Sequence, residues 1–445
     1  MKQSPHSGWH LTRRTLLTDS SLLAAGLLLP SALRAQTPAA STPAPVAPAT
    51  VPPGGMNGVP EGTPMPPDVN GMPGKSPYAY SGVSGRGWPV DAASGHGGYR
   101  SGSSGLAYAG EHPYPFPTQV LTDHDASGSA VAAGLIPPLK PILEVQVRDT
   151  IVCKGGDGHF YLTGSTGENI WAYNRGVELW SSPDLKKWHY LGLVWDMDKE
   201  GTWEKAWRPL HNKPCRAIWA PEIHYVRGSY YICLSIAPTG ISILKSTTGK
   251  PTGPYVHAFS PDKPIINAID PTLFQDTDGK VYFTASSATR IVQLKDDLSG
   301  FADDWRPIKL VAGDHTPAHH ADRCEGRGMN DLGTEGAVLF KAKGVYYLGA
   351  ADSYEGRYST CLAMSDNIYG PYHTRHESVP CGGGTGFFQD HAGGWWSSYF
   401  GNDSQSPFRE KPAIVKVDFA SDGRVIVAAK QPFVAGWKPK PSPAT

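Results

Sequence analysis

One pattern recurs along the C-terminal part of the chain: an acidic residue, a short apolar run, a glycine turn, then an aromatic strand. Asp149 is followed nine residues later by Gly158 and His159-Phe160-Tyr161-Leu162-Thr163, and Asp270 nine residues later by Gly279 and Lys280-Val281-Tyr282-Phe283-Thr284. Glu335 is followed nine residues later by Gly344 and Val345-Tyr346-Tyr347-Leu348-Gly349. Glu222 precedes Gly228 by six and leads into Ser229-Tyr230-Tyr231-Ile232-Cys233. A degenerate fifth copy runs Gly386-Phe387-Phe388, Gly393-Gly394, Trp395-Trp396-Ser397-Ser398-Tyr399. The copies start roughly 50 to 75 residues apart, the period and content of four-stranded propeller blades. Five copies predict an all-β fold, a five-bladed β-propeller over residues 143–437, with 438–445 as a tail. A β-sandwich offers the same turn density but no reason for an acid to recur at one place in successive hairpins. Composition agrees: 51 Gly, 41 Pro, 20 Tyr and 13 Trp supply turn formers and aromatics, and no long stretch holds a helical apolar period.

The region before the repeats has a different texture. Arg13-Arg14-Thr15-Leu16-Leu17, an apolar run from Leu22 to Leu29 and Ser31-Ala32-Leu33-Arg34-Ala35 read as a signal peptide over residues 1–35. The paired arginines fit the twin-arginine type, so an exported, periplasmic or extracellular protein is expected. Residues 36–75, rich in Pro, Ala, Thr and Gly, cannot bury enough apolar surface to order themselves and are expected to form a disordered linker. Residues 76–142, rich in Gly, Ser and Tyr, are expected to be irregular. No later segment is apolar enough to span a bilayer. With 40 basic against 40 acidic residues the net charge is zero, which removes the broad field that nucleic acid or an anionic membrane requires. A monomer acting on an oligo- or polysaccharide is the expected state.

In a propeller the innermost strands run side by side along one axis, so repeat-aligned residues converge there. Asp149, Asp270 and Glu335 are therefore predicted to share a funnel, where crowding and partial burial push carboxyl pKa values apart. Acetal hydrolysis uses that split, one carboxyl protonating the leaving oxygen while another acts on the opposite face. Asp157, Asp276 and Asp278, beside their turn glycines, read as turn-capping acids. Trp171, Tyr173 and Trp219 are candidate sugar platforms, against the alternative of packing between blades. Arg409 is a candidate bridge between a sugar hydroxyl and a carboxylate. Glu222 reads as structural or as support to the site. The six cysteines lack a Cys-x-x-Cys pair, and His319-His320 has no partner ligands at suitable spacing, so no metal site is expected.

Several segments together resemble glycoside hydrolase family 43: Val147-Arg148-Asp149, Trp219-Ala220-Pro221-Glu222-Ile223-His224-Tyr225, Ile269-Asp270-Pro271-Thr272-Leu273-Phe274 and Thr334-Glu335-Gly336. Leu179 through Trp188, Lys245-Ser246 and Gly253-Pro254-Tyr255 belong to the same resemblance, which covers 145–430 in the family's order. It implies a five-bladed propeller and an inverting glycosidase acting on arabinose-, xylose- or galactofuranose-containing glycans. By motif it implies Asp149 as general base, Asp270 as the acid that orients and tunes, and Glu335 as general acid; it also places Trp219 at the funnel mouth. Thr150 and Ala337 stand where the family usually has Pro. Cys381-Gly382-Gly383-Gly384-Thr385-Gly386 lacks the His that helps many members hold a central cation. A calcium is therefore doubtful, no cofactor is expected, and an outlying subfamily is indicated. Two rivals remain. A non-catalytic glycan-binding propeller would have no need of all three carboxylates. A fructan-acting hydrolase of the related clan would carry Trp-x-Asn-Asp-Pro and Glu-Cys segments, which this chain does not.

Overall fold

The protein, a computed structural model, is described over residues 129–439 except 167–173, 211–212, 287, 289, 312–331, 356 and 402–404, with a two-residue ladder joining Arg86–Gly87 to Gln119–Val120. The expected signal peptide, linker and most of the 76–142 extension, together with Trp171, Tyr173 and His319-His320, lie outside the described residues. Five four-stranded antiparallel sheets follow one another in chain order. Blade I comprises Arg148–Lys154, Phe160–Ser165, Gly176–Ser182 and His189–Asp196. Blade II comprises Ile218–Val226, Ser229–Ile236, Ile241–Ser246 and Tyr255–His257; blade III comprises Pro271–Gln275, Val281–Ala285, Arg290–Gln293 and Arg306–Pro307. Blade IV comprises Glu335–Ala342, Val345–Tyr354, Arg357–Ser365 and His373–Val379; blade V comprises Phe387–Gln389, Trp395–Tyr399, Ala413–Phe419 and Val425–Val427. This is the expected five-bladed propeller. No helix among the described residues is long and apolar enough to cross a membrane.

The repeated aromatic doublet explains why these hairpins become blades. Side chains alternate between the two faces of a strand, and a blade's second strand has a neighbour on both faces. Each doublet therefore sends one ring each way. Tyr161 and Tyr230 meet between blades I and II, with ring centroids 5.4 Å apart. Tyr231 and Phe283 fill the gap between II and III, and Tyr282 and Tyr346 the gap between III and IV. Tyr347 and Trp395 pack between IV and V, and Trp396 and Phe160 between V and I. Each fully buried ring contributes about 1.5–3 kcal/mol, so five interfaces built this way hold a ring without a single central core.

The turns fall into two kinds. Arg227-Gly228 and Lys343-Gly344 are two-residue turns with both residues left-handed (φ 49° and 77°, 51° and 85°), the conformation that favours glycine and matches hairpin twist. Blades I, III and V use longer turns held by an acid: Asp157 accepts the His159 N–H, Asp276 the Thr277 N–H and Asp390 the Ala392 and Gly394 N–H groups. Asp278 accepts the Lys280 N–H. The turn-capping reading of Asp157, Asp276 and Asp278 matches this arrangement.

Ring closure joins blade V to blade I. Arg148 Nη1 donates to Glu410 Oε1 at 2.9 Å, the Val147 N–H to the Glu410 carbonyl at 3.0 Å, and Ser398 Oγ to the Thr150 carbonyl. Residues 129–142 also join the fold: Ala130, Ile136 and Leu139 are buried with Val379, Tyr399, Phe408 and Val415.

Candidate active site

The chain turns into each inner strand through one left-handed residue: Asp149 (φ 50°), Ala220 (φ 44°), Asp270 (φ 51°), Gly336 (φ 65°) and Gly384 (φ 61°). The conformation is unfavourable for residues other than glycine, and short polar side chains tolerate it best. Asp149 and Asp270 are thus structural equivalents. Glu335 stands one residue ahead of the left-handed position in blade IV, where Trp219 stands in blade II. The shared nine-residue spacing in the sequence hides this offset, because the turns of blades II and IV are shorter and their inner strands longer. Glu222 lies two residues past the left-handed Ala220, which accounts for its shorter distance to Gly228.

Asp149 receives the Ser165 hydroxyl at Oδ2 (2.8 Å), and Arg148 Nε lies 3.8 Å from its Oδ1. Burial pushes its pKa up to about 6; Arg148 and Ser165 pull the other way, and the negative charges of Glu335 and Glu410 add to the rise. Asp270 accepts the Gly336 N–H at Oδ2 (2.8 Å), while its own N–H donates to Ser235 Oγ (2.8 Å). Burial, then the charges of Glu335 and Asp149, hold its carboxyl well above the usual carboxylate range. Glu335 accepts the Tyr358 hydroxyl at Oε1. Burial and that carboxylate drive the Tyr358 phenol far above its ordinary value. The fold therefore brings the three predicted carboxyls from blades I, III and IV within electrostatic reach of one another, each with different hydrogen-bond partners. A carboxyl that titrates near 6 is ionised at neutral pH and basic enough to take a proton from water.

At the inner-strand entry, blade V contributes a glycine run. A Cβ on Gly383 would lie 2.0 Å from Tyr358 Cε1, one on Gly384 3.0 Å from Asp149 Oδ1, and one on Gly336 2.9 Å from Gly384 Cα. The glycine run lets Tyr358 and Asp149 close over the axis, where the sequence lacks the family's His. Arg148, its guanidinium 5.1 Å from the Phe400 ring centroid, already brings positive charge here. Calcium takes six to eight oxygen ligands, and a guanidinium 3.8 Å from the Asp149 carboxylate competes with a second cation there.

The three candidate sugar contacts separate. Trp219 is half-buried at the start of blade II, opposite Ser235 and against Cys215, Ala217 and Ala237. Arg409 is 3% exposed and next in the chain to Glu410 at the ring closure; Arg148 pairs with Glu410 and lies 3.8 Å from Asp149. Trp171 lies outside the described residues. Sequence reasoning missed Ser165 and Tyr358 and gave Arg148 no role, although Arg148 sits next to Asp149 in the chain. The signal for Ser165 is faint: a hydroxyl residue near the end of the second strand recurs as Ser235 and Ser398, each bonded to the start of an inner strand.

The model of the family described as glycosyl hydrolases family 43 matches residues 138–425. The chain belongs to that family. It is 26% identical over 221 residues to a β-D-galactofuranosidase of Aspergillus niger, covering 45% of this chain and 56% of that protein. It is 25% identical over 256 residues to an extracellular exo-α-(1→5)-L-arabinofuranosidase of Cellvibrio japonicus, covering 52% and 67%. The chain thus spans between about half and two thirds of the length of these family relatives. Among solved structures, an endo-1,4-β-xylanase from Bacteroides thetaiotaomicron has 23% identity and a TM-score of 0.48, covering 68% of this chain and 98% of that one.

Proposed function

We propose that the protein is an inverting glycoside hydrolase acting on arabinose-, xylose- or galactofuranose-containing glycans. In this reading Asp149 takes a proton from a water that attacks the anomeric carbon. Glu335 gives its proton to the departing glycosidic oxygen as the bond to it breaks. Asp270, fixed by the Gly336 N–H, orients and tunes the pair. Trp219 offers a stacking face at the funnel mouth, and Arg409 stays a candidate only through the charge network at ring closure. The observation that carries the reading is the gathering of three carboxyls from separate blades at one axis, with Asp149 raised to about 6 beside Arg148. Family membership supports it; the extracellular relative supports export, and Arg13-Arg14 is what supports the twin-arginine route.

An inverting site leaves about 6.5–9.5 Å between base and acid, enough for the attacking water. Proton NMR of the first-formed sugar, released from an aryl α-L-arabinofuranoside, β-D-xyloside or β-D-galactofuranoside, tests this directly. Inverted anomeric configuration is expected. Retention, or a covalent adduct on Asp149, would overturn the mechanism and favour a fructanase-like double displacement. Absence of turnover on all such glycans would favour the glycan-binding reading.

A further inference from the structure

Beyond the carboxyls, the inner strands of all five blades enclose an axial cavity of about 250 Å³. Its wall is mostly apolar, with Ile151, Leu273, Val338 and Phe387 among its lining. Against that background blade II places a cluster of a different kind. Glu222 and His224 are two residues apart on the innermost strand, so they share a face, and both line the cavity. Cys233 lies directly opposite Glu222 on the second strand. Glu222 Oε2 and His224 Nε2 are 2.9 Å apart, and one ligand atom from each of the three residues lies within 4.8 Å of the others. Glu222 and Cys233 are buried, and His224 is half-buried.

We propose that Glu222, His224 and Cys233 bind one divalent transition-metal cation, zinc being the fitting ion, with cavity water as the fourth ligand. The donor set decides the class. Carboxylate, imidazole and thiolate together suit zinc, whereas calcium and magnesium take oxygen. Zinc bonds of about 2.0–2.3 Å put tetrahedral ligand atoms about 3.3–3.8 Å apart, so Glu222 and His224, now 2.9 Å apart, open slightly while pairs as wide as 4.8 Å close by roughly one ångström, both within side-chain rotation. Charge also balances. A carboxylate and a thiolate offset the two positive charges, leaving a neutral centre in a buried place, where an unbalanced charge is costly. On binding, the Cys233 thiol gives up its hydrogen bond to the Pro271 carbonyl (3.2 Å) and releases its proton to solvent, the S–H bond being replaced by an S–metal bond. The sequence expectation of no metal rested on spacing along the chain. Ligands contributed by paired strands leave no such spacing.

The test uses the full mature chain stripped with a chelator and titrated with cobalt(II), which reports thiolate ligation by absorption. One equivalent should bind with a thiolate-to-cobalt charge-transfer band and tetrahedral visible bands, and one equivalent of zinc should displace it. Cys233→Ser should abolish the charge-transfer band, while Cys153→Ser, on the half-buried cysteine of the same cavity, should leave it intact. Since Cys233→Ser may perturb packing, His224→Gln serves as the second variant, with affinity reduced about a hundredfold or more and far-UV circular dichroism unchanged. No stoichiometric uptake by the unsubstituted chain, or a band that survives Cys233→Ser, overturns the proposal. The readout does not involve hydrolysis, so it stands or falls apart from the proposed function.

Discussion

Replacing Asp149 by Asn should make the protein more stable at neutral pH while removing its activity. The Asp149 carboxyl is pushed from 3.8 to about 6, chiefly by burial. At about 1.4 kcal/mol per unit, holding its charge in the native state costs about 3 kcal/mol. Because 21% of the side chain stays exposed, water shares in solvating it, and about 2 kcal/mol is the better figure. The sign follows from linkage. An acid whose folded pKa is raised binds its proton more tightly in the native state, so its contribution to stability is present below 3.8 and is lost as pH rises to about 6. Asn has no such loss and still accepts the Ser165 hydroxyl. Asp270 adds in the same direction, because the Asp149 charge is one of the causes of its raised pKa. Urea unfolding of both proteins should give near-equal stability at about pH 3.5 and an Asn variant ahead by about 2 kcal/mol at about pH 7.5. The variant should lose about 10²–10⁴-fold in kcat. A stability difference that stays constant over this pH range would refute the burial argument and with it the assignment of Asp149 as a poised base.

Glu335→Gln should lower kcat about 10²–10⁴-fold on glycosides with poor leaving groups and much less on activated aryl glycosides, which need little protonation; equal losses on both would remove the acid role. Gly383→Ala forces Tyr358 away from Glu335, since the new Cβ would lie 2.0 Å from the ring. It should cost about 1–3 kcal/mol of stability and leave a kcat that Tyr358→Phe lowers no further, as kinetics of the double variant would read. Asp352→Asn leaves Arg375 without the carboxylate it meets at 2.5 Å, with both side chains fully buried. Thermal or urea unfolding should report a loss of about 3–5 kcal/mol, with unchanged activity per folded molecule below the transition.

Much of the architecture is legible in the sequence because the physics is local. A strand with neighbours on both faces needs large side chains at consecutive positions, and Phe160-Tyr161, Tyr230-Tyr231, Tyr282-Phe283, Tyr346-Tyr347 and Trp395-Trp396 supply them. Asp149 and Asp270 are legible for a similar reason: each sits a fixed distance from a turn glycine in blades with the same turn length. Glu335 is found by the same spacing, although a shorter turn and a longer inner strand offset one another by a residue in blade IV. Tyr358 is not legible, because it reaches Glu335 from the third strand of its blade and across a glycine run, a relation that exists only in the folded ring. The close approach that Cys381 through Gly386 permits is hidden for the same reason. In the chain the segment is a missing histidine; in the fold it is the space that Tyr358 and Asp149 need.

Ring closure and the candidate chemistry share a residue. Among the described residues no strand crosses the seam between the last and first blades, each blade being drawn from one continuous segment, so side chains and loop backbone must close the ring there. Arg148 stands at that seam, paired with buried Glu410 at 2.9 Å, and it is also the cation 3.8 Å from Asp149. A buried pair of this kind is costly to break from either side, so the seam holds the guanidinium in place whatever the state of the site. Asp149 is thereby kept titratable near 6 instead of higher, since Arg148 offsets part of what burial imposes. A site at any other blade boundary would have lacked a charge fixed by the closing of the ring, and with that charge beside it the blade I carboxyl lies at about 6, where a base at neutral pH requires it.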